Sequence, residues 1–185
     1  MTGLIILAII VAVIGYAIFL YNDLVSKRQL KEEGWSGIDV QLKRRTDLIP
    51  NLMETVRGYL SHERDTLEAV VKARAAATSG ANGTPAERSA LEGQLSGALG
   101  KLLAVAEAYP DLKANTTFLE FQDALRGVED EIQLARRYYN GAVRNLNTSV
   151  ESFPQNVIAN AFKFTKDEYF ELENEADRAV PTVKF

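Results

Sequence analysis

The sequence predicts an all-α protein: an N-terminal transmembrane helix followed by an antiparallel bundle of long helices. Three observations predict it. Leu4 to Tyr21 is an 18-residue stretch without one charge, made of apolar residues apart from one glycine and two tyrosines. Downstream, apolar residues recur in alternating steps of three and four, the period of a helix with one buried face. No segment outside the apolar stretch shows the alternation of a strand.

The 18-residue stretch makes a helix about 27 Å long, close to the hydrocarbon thickness of a bilayer. A cleaved signal peptide has a basic start, a shorter apolar core and a small-residue cleavage site. Here the start is Met1-Thr2-Gly3 and the stretch runs into Tyr21-Asn22-Asp23-Leu24, which has no such site. Residues 1–22 are therefore expected to be an uncleaved anchor and 23–185 a helical domain. A helix apolar on all sides and buried in a soluble fold needs more protein around it than this chain supplies. Lys27, Arg28 and Lys31 follow the span and no basic residue precedes it. By the positive-inside rule the expectation is a single-pass bacterial inner-membrane protein, N-terminus outside and helical domain cytoplasmic.

The first helix is expected to leave the membrane and continue over 23–49, with Leu24, Trp35, Ile38, Leu42 and Ile49 on its seam. Unbroken from Leu4 to Ile49 it would be about 69 Å long. Gly34 and Gly37 weaken it, or let a neighbouring helix approach Trp35 closely. Pro50 is read as its end or kink. A second helix is expected over 51–78, with Leu52, Val56, Leu60, Leu67 and Val70 or Val71 on its seam. Ser79-Gly80-Ala81-Asn82-Gly83 is a loop by composition.

Thr84-Pro85-Ala86-Glu87 then supplies a cap residue, a proline at the first helical position and a glutamate three after the cap. The third helix is expected over 85–108, with Leu91, Leu95, Ala98, Leu102, Val105 and Tyr109 in register. Gly93, Gly97 and Gly100 permit tight packing against it. After a break at Tyr109–Asn115, Thr117 with Glu120 repeats the capping box. The fourth helix, over 117–153, is the most regular: Phe118, Phe121, Leu125, Val128, Ile132, Ala135, Tyr139, Ala142, Leu146, Val150 and Phe153 repeat over about 54 Å. That seam demands a long partner surface in a bundle or coiled coil. Pro154 stops it. In the tail, Val157, Ile158, Phe162 and Phe164 are expected to dock back, and Thr165 with Glu168 to cap a short helix over 166–178. Lys166 to Arg178 holds six acidic and two basic residues, a net −4 equal to that of the whole chain. Such a run is a solvated face or an electrostatic contact surface.

Composition excludes several functions. The chain has no cysteine, hence no disulfide, thiolate chemistry or Cys-ligated metal. A net charge of −4 gives no reason to expect nucleic acid as a partner. No phosphate loop, zinc-protease or nucleophile-elbow motif occurs. The single histidine, His62, adjoins Glu63, but neighbours in sequence do not share a helix face. Glu129, Asp130 and Glu131 fan around their helix, and one histidine rules out the paired Glu-x-x-His of a di-iron bundle. No catalytic residue, cofactor or metal site is expected.

One cluster departs from the bland pattern. Arg45, within Lys43-Arg44-Arg45-Thr46-Asp47, falls on the seam between Leu42 and Ile49. A guanidinium there needs a carboxylate to offset its desolvation. Glu63, Glu129 and Glu131 are the candidates for a buried polar pairing that sets register. Alternatively Arg45 snorkels to solvent, or meets anionic headgroups if the helix folds back; a straight helix puts it about 36 Å beyond Tyr21. Trp35, Tyr59, Tyr138 and Tyr139 are the candidates for packing or interface aromatics. Adjacent Tyr138 and Tyr139 cannot face the same way: Tyr139 is on the seam, and Tyr138 is left for the tail or a second subunit.

Tyr21-Asn22-Asp23-Leu24-Val25 and the run from Trp35-Ser36-Gly37 through Gln41-Leu42-Lys43-Arg44-Arg45-Thr46-Asp47-Leu48-Ile49-Pro50-Asn51-Leu52 carry a resemblance. So do Val56-Arg57-Gly58-Tyr59 with His62-Glu63, Leu67-Glu68 to Ala73-Arg74, and Phe121-Gln122 through Ala135-Arg136-Arg137-Tyr138-Tyr139-Asn140 to Phe153-Pro154. The chain resembles the LemA family of bacterial membrane proteins over its whole length. The resemblance implies an N-terminal anchor facing outward and a domain of long antiparallel helices, with a related group acting at magnetosome membranes. It implies no enzymatic activity, no cofactor and no catalytic residues. The function expected is a membrane-anchored, non-enzymatic scaffold or adaptor presenting its helices to membrane or cytoplasmic proteins or to copies of itself. The alternative is a protein that remodels the membrane or organises its lipid surface.

Overall fold

The computed structural model describes residues 1–171. Among these the fold is all-α, an apolar N-terminal helix leading into an antiparallel bundle, and no strand occurs. The helices are α1 (Thr2–Arg57), α2 (Arg64–Ser79), α3 (Pro85–Ala106), α4 (Pro110–Lys113), α5 (Thr116–Glu151) and α6 (Gln155–Ala161). The described chain divides into two compact units: Met1–Ile38 with Leu134–Tyr169, and Asp39–Gln133 with Phe170 and Glu171.

In the first unit α1 begins as a helix with almost no cover. Its most apolar 18 residues have a mean hydropathy of 2.9 and are 6% buried, long and apolar enough to cross a membrane. Cover begins at Leu20, and Leu24 is fully buried with Leu146 of α5 and Ala159 of α6. Lys27 donates to Ser149, and Trp35 lies 5.3 Å, centroid to centroid, from Tyr139. Rising residue numbers on α1 thus meet falling numbers on α5, an antiparallel pair. Gly34 marks a close approach: a Cβ there would stand 3.0 Å from the Cα of Tyr139 and from Cδ1 of Tyr138. Gly37 faces no such neighbour among the described residues.

The tail docks only in part as its apolar residues predict. Ile158 and Phe164 pack against Leu24, Leu146 and Ala159, whereas Val157 and Phe162 stay exposed. The expected helix over 166–178 is not formed in its described portion, for Lys166–Glu171 is irregular. The reason lies in α5: the Asn147 amide donates to the Asp167 carbonyl and its oxygen accepts the Asp167 N–H, both at 2.9 Å. Those two bonds hold the strap alongside α5 in place of an internal turn, so Thr165 and Glu168 cap no helix among the described residues. Residues 172–178 of that expected helix lie outside the described residues.

In the second unit four helical segments alternate in direction. Thr46 of α1 lies beside Arg74 of α2, Asp39 beside Arg88 of α3, Glu63 beside Tyr109, and Arg45 beside Glu129 of α5. The direction is up, down, up, down. The core is Ile49, Leu52, Val56 and Leu60 with Val70, Leu95, Leu102, Leu112, Phe118 and Leu125. Pro50 does not end the first helix. α1 runs through it to Arg57, and the break expected there falls instead at Gly58–Glu63, so Leu52 and Val56 belong to α1.

α3 starts as its sequence predicts: Glu87 N–H donates to Thr84 Oγ1 and the Glu87 carboxylate accepts from the Thr84 N–H. The buried edge of α3 is turned slightly from the expected seam. Leu95, Leu99, Leu102 and Ala106 are buried with Arg88, Ser89 and Glu92, while Leu91, Ala98 and Val105 are half-buried. Cβ atoms added at Gly93, Gly97 or Gly100 would meet no described neighbour, so these glycines do not mediate close packing there. α5 is capped by Asn115, whose Oδ1 accepts from Phe118 N–H at 3.0 Å, and not by a Thr117–Glu120 box. The helix starts at Thr116, so Asn115 holds the capping position and Thr117 already lies inside the first turn.

Candidate functional site: a buried ionic network

The polar centre of the second unit is built on Arg45. Its position between Leu42 and Ile49 turns the side chain inward, and it is fully buried. One terminal nitrogen donates to Ser96 Oγ at 2.7 Å and to Glu129 Oε1 at 2.5 Å. The other donates to the Glu92 carboxylate and, at 3.3 Å, to the Glu92 carbonyl. Glu92 is buried, whereas the Glu129 side chain is 37% exposed. One guanidinium thus ties α1 to two points on α3 and one on α5. Buried without these acceptors it would forfeit several kcal/mol of hydration. With them it fixes the register of three helices, because sliding any one by a turn of about 5.4 Å breaks the set.

A second ion pair supports the same edge of α3. Arg88 donates to Asp39 at 2.5 Å and to the Ala81 carbonyl at 3.2 Å, joining α1, α3 and the loop between α2 and α3. Ser89 donates to the Glu171 carbonyl. Arg88, Glu92 and Ser96 follow one another at four-residue steps, a polar stripe beside Leu95 and Leu99.

The structure brings together two of the four residues singled out for the pairing, Arg45 and Glu129. Glu63 and Glu131 stand apart. Glu131 is exposed. Glu63 accepts from the Tyr109 hydroxyl at 3.0 Å, and that hydrogen bond, followed by burial, raises the Tyr109 pKa above its usual value. Glu92 escaped the sequence reading because it is one step off the expected α3 seam. The stripe Arg88–Glu92–Ser96 was the available signal.

Among the aromatic candidates, Trp35 and Tyr139 pack on each other in the first unit. The Tyr139 hydroxyl donates to the Glu168 carbonyl at 2.9 Å. Burial, then the charges of Asp167 and Glu168, push its pKa up to about 12. Tyr138 lies over Gly34 with half its surface in solvent. Tyr59, in the second unit, accepts from the Asn115 amide at 3.1 Å. His62 is exposed in the turn before α2. Two of the three cations after the span are ion-paired, Lys27 to Asp23 at 2.5 Å and Lys31 to Asp167 at 3.0 Å. Arg28 lies over the Phe164 ring at 5.1 Å.

The chemistry of the Arg45 centre is that of a clamp. A guanidinium only donates hydrogen bonds, and its partners here are two carboxyl groups, a hydroxyl and a carbonyl, all accepting. The family model described as the LemA family matches residues 34–185, which takes in Arg45, Glu92 and Glu129 and every helix after α1. The chain belongs to the LemA family. The Arg45 clamp of this chain thus lies inside the matched region, and the whole apolar stretch Leu4–Tyr21 precedes that region. Relatives include the magnetosome protein MamQ 2 of Paramagnetospirillum magneticum, 26% identical over 94% of this chain and 72% of the relative. Protein LemA of Metamycoplasma hominis is 29% identical over 79% of this chain and 68% of its own length. The magnetosome protein MamQ of Magnetospirillum gryphiswaldense is 24% identical over 94% and 72%.

Proposed function

We propose that this LemA-family chain is a membrane-anchored, non-enzymatic scaffold or adaptor, offering its helices to protein partners or to copies of itself on the cytoplasmic face of a bacterial inner membrane. The observation that carries the reading is the exposed apolar start of α1, which continues without interruption into residues packed in both units. A helix of that composition is stable in lipid and costly in water. The interior adds structural devices: an ionic clamp on Arg45 and capped helix starts. Lys27, Arg28 and Lys31 favour the cytoplasmic side for the units. Attachment to a membrane would raise the effective concentration of neighbouring partners, so weak lateral contacts would suffice. Tyr138 and Leu134, both exposed and one turn apart on α5, are a surface such contacts would use.

Proximity crosslinking in native membranes tests this. Discrete crosslinked species that survive mild detergent extraction are expected. A strictly monomeric, partner-free protein under those conditions would sink the scaffold reading. Single cysteines introduced at Ser61 and Thr165 in this cysteine-free chain report the side: both should resist impermeant thiol reagents until the inner face is opened.

A further inference from the structure

The chain that turns from α5 into α6 and out again presents an apolar surface to solvent. Phe153 is 82% exposed, Phe162 59% and Val157 57%. Three large apolar side chains so exposed within one short segment mark a contact surface. From Phe153 to Phe164 there is no acidic residue, and Lys163 is the sole charge.

The depth of this segment follows from what it touches. Tyr21, the last residue of the apolar stretch, meets the Phe162 ring at 4.7 Å and the Phe164 ring at 6.0 Å. Leu20 is only 6% exposed, while Leu4 to Phe19 stand open apart from half-buried Ala17. Ala159 and Ile158 of α6 pack with Leu24, one turn further on. The segment therefore sits at the end of the span, level with the bilayer boundary. Arg28, above the Phe164 ring, and exposed Lys163 place cations beside it. Aromatic rings with basic neighbours at that level match the interfacial zone, where an apolar face enters the acyl boundary and cations meet phosphate.

We propose that Phe153–Phe164 is a second membrane contact, lying in the interface beside the span with Phe153, Val157 and Phe162 among the upper acyl carbons and Arg28 and Lys163 at the lipid phosphates. Lipid, and not a second copy of the chain, is the occupant because the surface adjoins, through the Phe162–Tyr21 contact, the uncovered apolar flank of α1. The inference rests on the anchor reading. Its effect is to restrain tilt and rotation of the span by fixing a second point at the boundary.

The test uses the full chain in vesicles of phosphatidylcholine and phosphatidylglycerol, with and without bromine on the upper acyl carbons. Phe162→Trp and Phe153→Trp are made separately, both at exposed positions that tolerate the larger ring. Trp35 is retained as internal reference, since it lies about 21 Å beyond Tyr21 along α1. Loss of most of the added emission in brominated vesicles, with the Trp35 emission kept, is the expected result. Phe19→Trp reports on the span itself. Quenching at position 19 but not at 162 and 153 overturns the second contact while leaving the anchor. Blue-shifted but unquenched emission at 162 assigns the surface to another protein copy and also overturns it. No quenching at position 19 removes the anchor and this inference together.

Discussion

The Nε–H of Arg74 donates to the carbonyl oxygen of Thr46 at 2.9 Å, and Thr46 is the residue whose helical donor Pro50 has removed. A proline inside a helix leaves the carbonyl four residues earlier without its N–H and normally kinks or ends the helix. Here a side chain from α2 supplies the missing donor, and α1 continues to Arg57. Arg74→Met should therefore destabilise the protein by about 1–3 kcal/mol, the range for stranding a buried acceptor. Pro50→Ala restores the backbone donor, so the same Arg74→Met change made on top of it should cost much less. Thermal melts of the four proteins in detergent, followed by circular dichroism, give the coupling directly. Additive effects would show that Arg74 is not repairing the proline.

The Arg45 clamp makes a sharper prediction. Arg45→Met leaves Glu92 buried without its cation and should cost about 3–5 kcal/mol. Adding Glu92→Met removes the stranded carboxyl group and should recover much of that loss, since well-packed apolar replacements of buried ion pairs are often neutral. Glu129→Gln, at a half-open position that keeps a hydrogen-bond acceptor, should cost less than Arg45→Met. Urea midpoints of the full chain in detergent rank the variants, and a double variant worse than Arg45→Met would refute the clamp.

These two networks mark where sequence reasoning reaches its limit. Leu24, Ile38, Leu42 and Ile49 are legible because burial on a helix repeats every three or four residues, a local rule. Arg45 is legible as an anomaly on that same seam. Its partner Glu92 shows only as one step of the stripe Arg88–Glu92–Ser96, and whether that edge of α3 turns inward depends on how α1 and α5 pack against it. The fate of Pro50 is decided by Arg74, and no local rule links a proline to a guanidinium on the next helix. The strap Lys166–Glu171 carries a helix-capping signature but yields to Asn147, whose two hydrogen bonds to Asp167 hold an irregular chain. Each miss is a long-range contact overriding a short-range preference.

Gly34 and Gly37 separate packing from propensity. Alanine at either improves intrinsic helix stability by about 1 kcal/mol. At Gly37 the added methyl meets no described atom, so Gly37→Ala should raise the melting temperature. At Gly34 it would lie 3.0 Å from the backbone of Tyr139, which cannot yield unless α5 moves. Gly34→Ala should lower stability by about 1–3 kcal/mol, the usual cost of overpacking. The loss should be accompanied by a change in Trp35 fluorescence, because Trp35 packs on Tyr139. Equal stabilisation at both positions would mean that the α1–α5 approach is looser than described.

Tyr139 adds a pH dependence whose sign can be worked out. Burial, with Asp167 and Glu168 nearby, raises its folded pKa to about 12, whereas in the unfolded chain it titrates near 10. Between those values the folded state holds a proton that the unfolded state has lost, so folding is favoured less as pH rises. The contribution is complete below about pH 10 and gone above about pH 12, at most about 2–3 kcal/mol for a shift of that size. Tyr139→Phe keeps the ring against Trp35 but cannot ionise. It should start slightly less stable, having lost the bond to the Glu168 carbonyl, and should fall less steeply across that window. Denaturant midpoints of both proteins from pH 8 to 12 read the difference between the two slopes, which cancels the lysines and other tyrosines common to both. Parallel slopes would place the Tyr139 hydroxyl in contact with solvent and remove the buried hydrogen bond to the strap.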